Sequence, residues 1–556
     1  MRVATHRRHQ IAWHSQDDAL RYRVDVTFGR IAIAVCFALL LGVPLLFRPA
    51  PVGGGDATSS DATNGGAGQQ AAGPLIIITP HNEQIRYEFA RGFDRWHQRK
   101  FGQPAKVVFN VPGGTSEIRK MLESQYTAAL EAGREPGGDA DMVFGGGTFE
   151  HGRLKRGVRI GDKDEPVSQP VDFTEEWLRD TYGENTIGDV QLYDPDHHWF
   201  ALALSGFGIV FNRDALDSLG IPEPNAWKDM CDPRLRGWVA LVNPNQSGSV
   251  TTAFESILKR EGWIRGWQIL RRMAANGRSF SNSSLKPPMD VSVGDAAMGV
   301  SIDFLGRFQA QALREAGDEH RVGYVDPPGG STIDPDPISM LRGAPHPELA
   351  KRFIEFCLSD EGQALWQFAA SESNATAGGM GPLKYELRRL PVKRSMYEKY
   401  SDRMIDQVNP YVIATPVKYP DPNYRDLIAP MYAAMVMDNH HALREAWNAI
   451  VEHPAYPREA GNIVTADDVD DAELKAMLAA FDRLPVIAGA GRESLDLADE
   501  KALGAVRNGW VRNGFAKDGL WDAESTGLDA LRKRMGAFFH EQYAEASSRQ
   551  ITGADR

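Results

Sequence analysis

Two patterns of apolar and polar positions alternate along this chain: short, wholly apolar runs, and stretches in which apolar residues recur every three or four positions. Leu75-Ile76-Ile77-Ile78 is a run suited to a buried strand, ended by Thr79-Pro80-His81-Asn82. Ile85, Phe89, Phe93 and Trp96 then recur at steps of four, four and three, one face of a helix. Residues 106–109 read as a second strand, and Val111-Pro112-Gly113-Gly114-Thr115-Ser116-Glu117 leads into a helix that turns Ile118, Met121 and Leu122 inward. Residues 141–144 form a third strand, closed by Gly145-Gly146-Gly147-Thr148. The rhythm restarts at residues 199–211, long and apolar with Gly206 and Gly208 inside, as for a strand passing between two lobes. Residues 238–242 form another strand, followed by Asn243-Pro244-Asn245-Gln246-Ser247-Gly248-Ser249 and a helix with Phe254, Ile257 and Leu258 on one face. Residues 298–304 are read as the returning crossover. Strands alternating with helices imply a mostly parallel sheet covered on both faces, with ligands gathered at the carboxyl ends of the strands.

Composition adds an address. The 556 residues are 42% hydrophobic and 24% charged, a globular balance that excludes a disordered polymer or a polytopic membrane protein. The net charge is −12, yet residues 1–30 hold six arginines against three aspartates, so the body beyond is more acidic still and a poor general binder of nucleic acid. Residues 31–47 carry no charge and are bounded by Arg30 and Arg48. They are read as a transmembrane anchor or uncleaved signal, with 1–30 as a cytoplasmic basic segment and the body on the extracytoplasmic side. A cleaved signal and a buried core helix are the alternatives. Residues 48–73, rich in Gly, Ala, Ser and Asp, form a flexible linker. Of Cys36, Cys231 and Cys357, only the last two could pair, which excludes a disulfide framework.

The turns carry the chemistry. A helix start preceded by Gly and hydroxyl residues offers free N–H groups and a positive dipole end to an anion. Gly114, Thr115 and Ser116 stand at one such start, Ser247 and Ser249 at another; simple N-capping is the alternative for each. Ser283 and Ser284, in the hydroxyl-rich turn 276–284, face the same cleft or plain solvent. Thr79 and His81 follow the first strand. Asp303, inside an apolar run, needs a partner, either a ligand ammonium or hydroxyl or a nearby arginine such as Arg307. No nucleophile elbow, phosphate-binding loop, zinc-protease helix or paired C-x-x-C occurs. The adjacent pairs His197-His198 and His440-His441 lack the spacing of metal ligands on one helix face.

Three segments, ADMVFGGGTFEHGRL (140–154), LALSGFGIVFNRD (202–214) and WVALVNPNQSGSVTTAFESILKREGWIRGW (238–267), resemble the extracellular solute-binding proteins of ABC importers, in the branch of ferric-iron, phosphonate and sugar-phosphate binders. The resemblance spans roughly residues 74–370. It implies an α/β, two-lobed periplasmic-binding-protein-like (type II) fold with hinge crossovers: lobe 1 from 74–204, completed by about 306–410, and lobe 2 from 205–305. A mainly helical C-terminal extension, 411–556, has no counterpart in the family. Carried over by position, the site adds Gly146, Gly147, Thr148, Ser205 and Gly248 to the residues above. Ferric members use adjacent tyrosines where this chain reads Ser301-Ile302-Asp303-Phe304, so iron is disfavoured. The expected function is capture of a small anionic organic solute, phosphonate or sugar-phosphate-like, for delivery to an ABC permease by a monomer without catalysis, metal or cofactor. A tethered sensor or adaptor, a ferric binder and an exported hydrolase are the rival readings.

Overall fold

The computed structural model describes residues 73–315, 317, 320–376, 379–414, 418–419, 424–457, 463–488, 493–513 and 527–548. The expected basic segment 1–30, the expected anchor or uncleaved signal 31–47 and nearly all of the expected linker 48–73 lie outside the described residues. Among the described residues, no helix is long and apolar enough to cross a membrane.

The first strands and helices follow the apolar pattern. Strand β1 (Leu75–Ile78) leads to helix α1 (Glu83–Phe101), whose start is capped by the Asn82 side chain accepting from the Ile85 amide and whose end is Gly102 in the left-handed conformation. Ile85, Phe89, Phe93 and Trp96 are all buried, so the period-of-four face is the core face. Then come β2 (Val107–Asn110), α2 (Thr115–Glu131), β3 (Met142–Phe144) and α3 (Thr148–Arg156). The two apolar strands β4 (Phe200–Ser205) and β5 (Phe207–Asn212) are separated by Gly206 alone. After β6 (Val239–Val242) follow α4 (Gly248–Glu261), α5 (Trp263–Ala275), β7 (Gly277–Ser281), α6 (Lys286–Ser292), β8 (Met298–Ile302), α7 (Asp303–Glu315), β9 (Val322–Val325) and β10 (Asp334–Leu341). Helices α8 (Pro347–Leu358) and α9 (Asp360–Gln367) precede the short strand β11 (Leu390–Pro391).

These strands build two sheets. One runs β11-β4-β10-β3-β1-β2, with Ser168–Gln169 paired to β10; the other runs β7-β6-β8-β5-β9. The β1, β2 and β3 pairings are parallel, as are β6 with β7 and β8, whereas β10 lies antiparallel to β3 and β4, and β5 to β8 and β9. The single apolar stretch 199–211 thus serves both sheets, breaking at Gly206. The chain returns between β9 and β10, through residues 326–333. This corrects two expectations: residues 298–302 stay in the second sheet as a buried strand, and that lobe continues past residue 305 to β9. At the crossing the Phe207 amide donates to Ser331 Oγ at 3.0 Å, tying the two connections together, and the Asp303 amide donates to the Gly206 carbonyl at 3.0 Å, fixing the start of α7 beside the first of them.

The first lobe is held by an aromatic core of Phe89, Phe93, Phe144, Phe353 and Trp366. The second lobe shares one continuous core with the C-terminal helices α10 (Tyr424–Tyr432), α11 (His440–Glu452), α12 (Ala472–Asp482) and α13 (Gly527–Ser548). Trp447, Phe481, Phe539 and Tyr543 pack there with Trp263 and Trp267. Arg271 and Arg272 of α5, 1% and 0% exposed, point into it. Arg272 is bidentate to Asp482 at 2.6 and 2.9 Å, with Trp447 and Phe481 rings each 5.5 Å away. Cys231 and Cys357 are free and buried, one in each core.

Candidate functional site

A cavity of about 380 Å³ lies where the two sheets meet, at the carboxyl ends of β1 and β6. Its size falls within the range of ~300–1,000 Å³ usual for small-molecule sites. The first lobe lines it with ionisable groups: Arg86 from α1, His81 after β1, Asp334 and Asp336 from β10, and Arg389 just before β11. The second lobe lines it with hydroxyls and amides: Gln246, Ser247, Ser249 and Thr252 around the start of α4, and Asn282, Ser283 and Ser284 after β7.

Asp336 organises the charged side. It accepts from His81 Nε2 at 2.9 Å, from the Gly146 amide at 2.8 Å, and from Arg389 Nη1. Burial, and then the neighbouring guanidinium groups of Arg389 and Arg86, hold the His81 imidazole well below its ordinary pKa, so the ring is neutral at pH 7. Its edge packs on Phe144 with centroids 4.5 Å apart. Gly145, at φ 97°, makes room, since a Cβ there would lie 2.5 Å from the ring. Burial pulls the Arg389 pKa down to about 10, which leaves it charged at neutral pH, and its guanidinium lies 4.5 Å over the Phe304 ring. Arg389 Nε, His81 Nδ1 and Ser205 Oγ are buried and have no partner among the described residues. Unspent polar atoms of this kind, gathered at one cavity, are what a polar ligand satisfies.

Asp334 faces the same space two residues earlier on β10. Thr148 Oγ1 donates to it at 3.2 Å, and burial pushes its carboxyl up to about 6 against the opposing charge of Arg425. Across the cleft, Ser247 caps α4 by accepting from the Val250 amide and bonds Ser284 Oγ at 2.8 Å. The lobes touch at the cavity rim: the Gly248 amide donates to Thr115 Oγ1 at 3.2 Å, and a Cβ on Gly114 would lie 2.8 Å from the Gln246 carbonyl.

The cavity brings together His81, Gly114, Thr115, Gly146, Gly147, Ser205, Ser247, Ser249, Ser283 and Ser284 from the expected set. Five others stand behind its wall. Thr79 donates to the Phe144 carbonyl at 2.6 Å and accepts from the His81 amide, which sets the turn that aims His81. Ser116 donates to Glu150 at 2.9 Å, Thr148 holds Asp334, and Gly248 supplies the amide that meets Thr115. Asp303 is fully buried at the start of α7, where its carboxylate accepts from the Phe304 amide at 2.7 Å and from Arg307 at 3.4 Å. Its partner is the arginine one helical turn on, and it stands beside the cavity-lining Ile302 and Phe304 without lining the cavity itself. Sequence reasoning missed Arg86, Asp334, Asp336 and Arg389. The alternation Asp334-Pro335-Asp336-Pro337 ahead of an apolar run was the available signal, since residues two apart on a strand share a face.

Two lobes joined by two crossing connections thus enclose a polar cleft between them. Residues 162–377 match the family model described as bacterial extracellular solute-binding protein. It is 30% identical over 204 residues to an uncharacterized protein of Haemophilus influenzae (36% of this chain, 56% of that protein). It is 25% identical over 296 residues to the phosphoglycerate transport regulatory protein PgtC of Salmonella typhimurium (51% of this chain, 66% of that protein). The chain therefore spans between half and two thirds of the length of these curated relatives. Among solved structures it is similar to the periplasmic binding protein AfuA of Actinobacillus pleuropneumoniae with exogenous fructose-6-phosphate bound, at 18% identity and a TM-score of 0.48, over 66% of this chain and 99% of that one.

Proposed function

We propose that this chain is an extracytoplasmic solute-binding protein, tethered by its N-terminal segment, that closes on a small anionic organic solute and delivers it to an ABC permease. The solute is of phosphonate or sugar-phosphate type. One observation carries this reading: Arg86, Arg389 and the opening turns of α2 and α4 converge on a single cavity. Two guanidinium groups and two helix starts form a donor set for an oxyanion, and the serine hydroxyls of the second lobe extend it. Asp334 and the unpartnered Ser205 hydroxyl suit a hydroxyl or ammonium on the rest of the solute. The likeness to a protein named for phosphoglycerate transport points to the same ligand chemistry. Among the described residues no tyrosine lines the cavity, which sets ferric iron behind an organic oxyanion because the hard ion would lack phenolate ligands.

The word regulatory in that relative's name, with the large helical extension fused to the second lobe, supports a second reading as a tethered sensor that reports the same solute to a protein partner. Calorimetric titration of the full chain in detergent with 3-phosphoglycerate, glucose 6-phosphate, 2-aminoethylphosphonate and ferric citrate tests the ligand class. Saturable binding of a phosphorylated or phosphonate ligand is expected. Tight iron binding with none of the organic anions bound would overturn it. Solute-dependent stimulation of a reconstituted permease's ATPase separates delivery from sensing.

A further inference from the structure

The C-terminal helices bring one side chain to the place where the lobes meet. Arg425, on α10, is buried. Its Nη1 donates to Thr252 Oγ1 at 2.7 Å and reaches Glu255 Oε2 at 3.2 Å, and its Nη2 donates to the Gly248 carbonyl at 3.0 Å. All three acceptors lie in the first part of α4, whose amino end faces the cavity. The same guanidinium lies over the ring of Phe149, 4.8 Å from its centroid, and Phe149 belongs to the first turn of α3 in the opposite lobe. Gly147, one residue before α3, is as close: a Cβ there would lie 3.9 Å from Thr252 Oγ1 and 2.9 Å from the Asp334 carboxylate.

We propose that Arg425 is a positioning residue for solute capture, a strap through which the C-terminal helices hold the start of α4 against the first lobe when the cleft shuts. The planar guanidinium suits this task, because donors spent in its plane leave its face free for a ring. Its bonds to α4 stay within the body formed by the second lobe and the extension, whose cores are one. Its contact with Phe149 crosses between lobes, so it exists only when they are together and favours that arrangement alone. Thr252 lines the cavity, so Arg425 also sets the hydroxyl that a solute meets. In this view the extension is part of the closing apparatus.

The test measures the distance between spin labels on exposed positions of the two lobes, Lys120→Cys and Asp217→Cys, in the full chain. Phe149 is only partly buried, so Phe149→Ala leaves the fold intact. Phe149→Ala and Arg425→Ala are each expected to move the distribution toward longer separations, and the double variant to move it no further than Arg425→Ala alone. Arg425→Lys, which keeps the charge and loses the planar fork, is expected to fall between wild type and Arg425→Ala. An unchanged distribution in Phe149→Ala, with Arg425→Ala lowering only the melting temperature, would overturn the proposal. Affinity for 3-phosphoglycerate is expected to fall about three- to tenfold in both variants, the size of one exposed or partly desolvated cation–π contact. That second readout alone rests on the solute reading above; longer separations without binding of any phosphorylated probe would uphold the strap and sink the solute class.

Discussion

Thr115 Oγ1, in the first turn of a first-lobe helix, accepts a 3.2 Å hydrogen bond from the amide of Gly248, the first residue of a second-lobe helix. The two helices therefore meet start to start across the cavity, and each start carries partial positive charge from its unpaired N–H groups. Like ends approach one another at a cost unless an anion lies between them, so a bound oxyanion would favour the closed arrangement over an open one. Under the proposed function, closure and anion recognition are one event.

Substitution at Gly248 tests that coupling. A Cβ there would lie 2.4 Å from Thr115 Oγ1 and 3.1 Å from Glu150 Oε1, both in the opposite lobe. Gly248→Ala is expected to keep the melting temperature within a few degrees while weakening solute affinity at least about tenfold, because the clash arises only on closing. Thr115→Ala removes one hydrogen bond of about 1 kcal/mol and should cost roughly fivefold. Calorimetry beside thermal melts distinguishes the two readouts.

Removal of the buried cation should be more severe. Arg389→Ala takes a donor from the cavity and strips Asp336 of its ion-pair partner. Breaking a buried pair in this way costs about 3–5 kcal/mol, so urea unfolding should show it together with loss of anion binding. Arg389→Lys is expected to restore most of the stability but little of the affinity, since an ammonium cannot serve Asp336 and an oxyanion as a fork does.

The pH dependence of stability follows from two carboxyls. Asp334 and Asp303 are both pushed by burial up to about 6, above the ordinary 3.8. The folded state therefore binds these protons more tightly than the unfolded chain. Their contribution to stability is full below pH 4 and is lost as pH rises through 6. For Asp334 the loss is about 3 kcal/mol. Asp334→Asn should gain stability relative to wild type as pH rises from 4 to 7, with the two closest near pH 4. A parallel pair of profiles in urea titrations would contradict this.

The fused core predicts how the extension behaves. Arg272→Ala leaves the Asp482 carboxylate, 11% exposed, without its bidentate partner and should destabilise the protein by about 3–5 kcal/mol. A chain ending at residue 414 would expose Trp263, Trp267 and the buried Arg271 and Arg272, so its second lobe should fail to fold. Far-ultraviolet dichroism and limited proteolysis of the truncated chain would report this.

The elements were legible where local chemistry sufficed. Residues 75–78 and 238–242 read as strands because continuous apolar runs suit strands buried on both faces. Residues 199–211 read as a passage between lobes, and the break at Gly206 is where the two sheets part. The return passage was misplaced for the same reason: residues 298–302 are as apolar as a crossing strand, since β8 is buried at the centre of its sheet. The true passage, 326–333, holds Pro327, Pro328, Gly329 and Gly330 and has no hydrophobic period to read. Asp303, an acid in an apolar run, called for a partner, either a ligand group or a nearby arginine, and Arg307 four residues on donates to it.

By itself the sequence determined what depends on near neighbours: the strands and helices, the turns that open α2 and α4, and the serine-rich side of the cleft. Tertiary structure alone decided the charged side. Arg389 meets His81 across 308 positions of chain, Asp336 meets His81 across 255, and Arg425 meets Thr252 across 173. Period and composition report which residues are buried, whereas an ion pair is set by where sheet order and core packing deliver two distant side chains. No local pattern encodes that distance, so the cations that line the cavity became visible only in the folded chain.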